Sequence, residues 1–179
     1  GRHELVAFAK EHGIDHDICG KIVVATGEEE LPFLEKIYQT GLENEIEGLS
    51  KIGPEEIKEI EPHCVGIAGL HVPCTGIIDF RGATAKMVEL ALEMNANSKL
   101  YLQHEVLDIV KGEGQSTIKT TKGDFSAKYL VFCGGLQADR LAKKDGIKLK
   151  EKVVGFRGDY YELTEQGHHK IKHLIYPVP

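Results

Sequence analysis

The chain has 179 residues, of which 41% are hydrophobic, and 22 basic against 28 acidic side chains give a formal charge of -6. This composition excludes the disordered and fibrous classes. No apolar run approaches the ~20 residues of a bilayer span, and without a basic stripe the chain lacks the electrostatic footprint of a nucleic-acid binder.

The chain opens without an initiator Met, in a helix already under way, and closes on a strand. This reads as an internal piece of a longer protein, with no signal peptide at its start. Residues 3–12 have a helical pattern stopped by Gly13. Cys19–Thr26 is rich in β-branched residues and reads as a strand. Leu31, Leu34, Ile37 and Tyr38 then recur at helical spacing, with Gly41 expected to end the helix. A short helix begins at Pro54 and stops before Pro62. Residues 28–61 hold 11 Glu against 3 Lys, which reads as a solvated helical face.

Leu70–Phe80 is extended, with a turn near Pro73–Gly76, and residues 83–95 form an amphipathic helix. A dense β region follows: Leu100–Leu102, Glu105–Lys111, Ser116–Thr121 and Phe125–Cys133, with a hairpin turn at Lys122-Gly123-Asp124. Tyr129–Cys133 is continuously apolar, as in a strand buried on both faces. A helix from Gln137 to Lys144 and strands at Val153–Leu163 and Leu174–Val178 complete the pattern. The order does not alternate as in a doubly wound sheet, so the expected class is α+β in two lobes.

Three segments could carry chemistry. In YLVFCGGLQADRLA (129–142) a strand runs through two glycines into a helix, presenting bare backbone N–H groups at a sheet edge. Taken alone, such a junction is more often only a tight turn. Phe156-Arg157-Gly158 sets a fixed cation beside a residue without Cβ, although Arg157 could simply pair with Asp159. Tyr176, in IYPVP, offers a phenol to a site or to the core. His12/His16 and His169/His173 lie four apart, but no Cys or carboxylate at ligand spacing joins them, and no metal is expected. Cys19, Cys64, Cys74 and Cys133 are scattered, which points to reduced thiols in a cytoplasmic setting.

Taken in order, CGKIVVAT (19–26), PCTGIIDF (73–80), HEVLDIVK (104–111), YLVFCGGLQADRLA (129–142), FRGDYYEL (156–163) and HLIYPVP (173–179) carry more than each does alone. The set resembles the FAD-dependent oxidoreductases of the D-amino-acid oxidase type, and within them the L-2-hydroxyglutarate oxidase/dehydrogenase branch. The resemblance implies a substrate lobe on an antiparallel sheet and part of a Rossmann-like FAD lobe. Residues 1–81 and 151–179 would belong to the first and 82–150 to the second. It implies hydride transfer from a 2-hydroxy acid to FAD.

The positions that would meet the cofactor are Val106, Cys133, Gly134, Gly135 and Leu136, with Gly134 standing where the family usually has Ala. Arg157 would bind the substrate carboxylate, Tyr160 or Tyr176 would donate a phenol, and His71 is the candidate base on a substrate-lobe strand. The partner implied is a small 2-hydroxy acid. Peripheral membrane contact of the whole protein and self-association are compatible with this reading, which leaves the electron acceptor open. The alternatives are a glycine oxidase or glycerol-3-phosphate dehydrogenase type of flavoenzyme, or a non-catalytic α+β binding module. The GxGxxG segment is absent from the 179 residues, so the isolated chain is expected to hold FAD poorly and to show no turnover.

Overall fold

In the computed structural model, which describes all 179 residues, the elements in chain order are α1 (Arg2–His12), β1 (His16–Asp17), β2 (Lys21–Ala25), α2 (Leu31–Glu43), β3 (Ser50–Ile52), α3 (Pro54–Ile60) and β4 (Ala68–Val72). After them come β5 (Ile77–Ile78), α4 (Phe80–Met94), β6 (Val106–Lys111), β7 (Ser116–Thr120), β8 (Gly123–Ala127), α5 (Ala138–Lys144) and β9 (Leu174–Pro177). They divide into one unit of Gly1–Ala96 with Glu162–Pro179 and another of Asn97–Tyr161. Helices and strands are mixed in both units, and antiparallel pairs outnumber parallel ones, as the α+β reading expects.

The first unit is built on a four-stranded sheet in the order β3-β4-β2-β9. Strand β4 runs antiparallel to β2 and β3, with Val23 opposite Leu70 and Ile22 opposite His71. Strand β9 joins β2 in parallel, so the sheet is mixed rather than wholly antiparallel. Strand alternation sends successive side chains to opposite faces. On one face Val23, Ala25, Leu70 and Val178 meet Leu34 of α2, flanked by Ile37 and Tyr38. On the other, Ile22, Val24 and Ile52 meet Ile57 of α3. The IVVA stretch of β2 is buried on both sides, and each such side chain contributes about 1.5–3 kcal/mol. A smaller cluster of Ala9, Ile14 and Ala83 ties α1 to α4, which is why α4 belongs with this unit.

Helix α2 runs on through Gly41 to Glu43 instead of stopping there. Gly41 packs against Leu49, and a Cβ on it would sit 2.4 Å from Leu49 Cδ2, so the glycine serves close packing rather than termination.

The second unit carries an antiparallel meander, β6-β7-β8, beside α5. Ile109 is its one buried hydrophobic residue. Two expected strands are missing and a third is cut short. Leu100–Leu102 and Val153–Leu163 have no strand structure, and β8 stops at Ala127, short of Cys133. A strand needs a neighbour's backbone to pair with, and none of the 179 residues pairs with 129–133. Tyr129 and Val131 are 89% and 86% exposed. No helix is long and apolar enough to cross a membrane.

Candidate functional site

In the first unit, β4 places His71 half-buried on the α3 face of the sheet, between Ile22 and Ser50 of the flanking strands. The ring of His173 meets it edge-on, with centroids 6.3 Å apart. His173 stands just ahead of β9 and over Gly20. That glycine has φ 80°, and a Cβ on it would come within 3.0 Å of the imidazole Cδ2. Gly20 also donates its N–H to Thr75 O at 2.8 Å and accepts from Leu174 N at 3.1 Å, which fixes the approach to β2 and β9 together.

Behind His173 lies Glu61, at the carboxyl end of α3 and fully buried. Its Oε1 accepts from the backbone N–H of Lys172 at 2.8 Å, the N–H of His173 at 2.5 Å and the Nδ1–H of His173 at 2.9 Å. Its Oε2 is buried with no hydrogen-bond partner. Burial first, and the positive charge of His173 second, push the His71 imidazole below its ordinary range. Burial, and secondly the Glu61 charge, push the nearby Cys64 thiol up. Glu61 and His173 went unmarked in the sequence, where Glu61 looks like the last member of a solvated run and His173 like half of a histidine pair.

Tyr176 sits in β9 opposite Val23, and therefore on the α2 face. The Lys21 ammonium lies 5.4 Å from its ring centroid. His71 and Tyr176 thus belong to one sheet but to opposite faces of it.

In the second unit, a cleft of about 450 Å³ is lined by Glu105, Val106, Gly134, Gln137, Arg140, Leu141 and Lys144. It brings Val106, at the start of β6, together with Gly134, ahead of α5. A Cβ on Gly134 would lie 2.4 Å from Leu141 Cδ1, so the Leu141 side chain would have to turn aside to admit it. Gly135 follows with φ 52°, in the left-handed region. Lys144 donates to the Leu107 carbonyl and Arg140 to Gln137 Oε1 at 2.9 Å, so both cations are held at the wall. Cys133 and Leu136 are exposed and do not line this cleft.

Arg157 and Tyr160 are also in this unit, on a stretch without regular structure. Arg157 is paired with Asp159 at 2.8 Å, and its side chain is 87% exposed. The Arg–Asp pairing foreseen in the sequence is present, without the strand that was to carry it. Tyr160 is likewise open to solvent.

The protein-family model described as "FAD dependent oxidoreductase" (DAO) matches residues 1–179. Among curated proteins, the L-2-hydroxyglutarate dehydrogenase of Indibacter alkaliphilus is 38% identical over 180 residues, covering 100% of this chain and 45% of that protein. The chain therefore spans less than half the length of this relative. Among solved structures, the L-proline dehydrogenase of P. horikoshii superposes with a TM-score of 0.72 at 25% identity, over 83% of this chain and 40% of that one. The L-alpha-glycerophosphate oxidase of Mycoplasma pneumoniae, solved with FAD bound, gives 0.73 at 22% identity over 99% and 50%, a likeness of fold.

Proposed function

The chain belongs to the FAD-dependent oxidoreductase (DAO) family, and on that premise we propose that it is part of an enzyme oxidising L-2-hydroxyglutarate to the 2-oxo acid. The observation that carries the substrate is the 38% identity, end to end, with a protein named for that activity.

The residues present fit part of the cofactor. The cleft that joins Val106 to Gly134 has bare backbone at Gly134 and cations at its wall, which suits a polar, anionic ligand. Gly135 continues that backbone, and Cys133 and Leu136 flank it. Bound FAD supplies the two-electron acceptor for such an oxidation. The chain's own residues bind and orient the substrate and move its proton. Arg157 is the carboxylate anchor, its guanidinium suited to a bidentate grip. The hydroxyl proton goes to the His71 imidazole, whose neutral form is favoured by burial and secondly by the charge of His173. Tyr160 is the phenol donor. Tyr176 is left out of this substrate contact, because it faces away from His71.

The assignment of residues 1–81 and 151–179 to the substrate lobe, and 82–150 to the FAD lobe, is part of the same proposal. The four free thiols support a reducing, cytoplasmic setting. Self-association and peripheral contact of the whole protein with a membrane surface belong to the same proposal.

In the full-length protein, Arg157→Met should lower kcat/KM for L-2-hydroxyglutarate by about 10²- to 10³-fold, the usual cost of leaving a bound charge unpaired. Steady-state assays with L-2-hydroxyglutarate, glycine and glycerol 3-phosphate test the substrate. Preferred turnover of either of the latter two would defeat the reading. The isolated 179-residue chain, lacking a GxGxxG loop, should emerge from purification without stoichiometric flavin absorbance, and bound yellow cofactor would contradict this.

A further inference from the structure

We infer that Glu61 and His173 are positioning residues for His71, a carboxylate–imidazole pair that fixes the neighbouring ring and governs when it carries a proton. The inference rests on the reading of His71 as the base. The geometry that carries it is the succession of three groups on one face of the sheet. Glu61 is 0% exposed, with one oxygen taking three donors and the other none. The Glu61 carboxylate is bonded to Nδ1 of His173 at 2.9 Å and to its backbone N–H, which holds that ring in one orientation. Because Nδ1 of His173 is committed to Glu61, its remaining ring nitrogen is the one free to vary. The edge-on contact then sets this ring against His71.

Burial and the charge of His173 are the causes that lower the proton affinity of His71. Ile22 and Ser50 flank it in the sheet, and Lys21 and Lys51, next to those positions in β2 and β3, belong to the α2 face. At the end of α3 and in the turn after it, Glu61 bonds to His173 and Cys64 packs against the Ile22 and Ile57 cluster, and the approach to β9 brings His173 to His71. A proton on His173 therefore repels one on His71, so a positive His173 keeps His71 neutral and ready to accept.

The test uses the full-length flavoprotein, with the pH dependence of kcat/KM and the NMR titration of the ¹³C-labelled His71 ring measured on the same variants. His173→Gln should raise the His71 titration midpoint and move the acid limb of kcat/KM to higher pH by about 0.3–1 unit. Glu61→Gln keeps an acceptor for Nδ1 of His173 but removes the carboxylate charge beside that ring, and should shift both readouts in the same direction. If the His71 midpoint stays at its wild-type value in both variants while stability falls, the pair is structural scaffolding and the inference is overturned. Should His71→Gln retain wild-type kcat/KM and an unchanged acid limb, the base assignment fails. The ring titration would still decide the coupling.

Discussion

Replacing Glu61 by alanine should destabilise the first unit by about 3–5 kcal/mol, the range found when one partner of a buried charged pair is removed. Two backbone N–H groups and one imidazole N–H converge on Oε1, and the carboxylate is wholly shielded from water. Alanine leaves all three donors without an acceptor and opens a void beside the approach to β9. Each unmet donor costs about 1–3 kcal/mol where water cannot reach it. Urea denaturation of wild type, Glu61→Ala and Glu61→Gln measures this. Glutamine should recover part of the loss, because its carbonyl can still accept from the two backbone groups. A loss below about 1 kcal/mol for alanine would mean that water already serves these donors.

Leu70→Ala should cost about 2–5 kcal/mol in the same assay. Leu70 is 1% exposed and lies in the cluster of Val23, Ala25, Leu34 and Val178, where β4, β2, β9 and α2 meet. Truncation there removes apolar surface from the core and leaves a cavity that the surrounding sheet cannot readily close. Ile109→Ala makes the control. Ile109 is the lone buried hydrophobic of the second unit and lies outside this cluster, so its truncation should not reproduce the loss seen for Leu70. If Leu70→Ala proved neutral, this cluster would not be the core of the first unit.

Legibility in the sequence followed locality. Gly13 ends α1 in the left-handed conformation, and Pro54 opens α3, because each acts within a turn of its own position. The β-branched run of β2 and the meander of β6, β7 and β8 were legible for the same reason. Tyr129–Cys133 was not, because apolar continuity states what a strand would prefer and cannot supply the strand beside it. The family could be read from six dispersed motifs taken in order, and Val106 and Gly134, named from those motifs, line one cleft. Glu61 escaped notice for the opposite reason. Eleven glutamates between residues 28 and 61 all look alike on paper, and only the folding-back of Lys172 and His173 distinguishes the last of them.

The parallel pairing of β9 with β2 also bears on how the protein is made. Lys21 emerges from the ribosome long before its partner Leu174, so β2 must wait with one ladder of backbone groups uncovered. Contacts this distant along the chain slow folding, and an unclosed edge invites pairing with another nascent copy. Molecular chaperones that shield the β2 flank during translation should therefore raise the soluble yield more than slower synthesis alone.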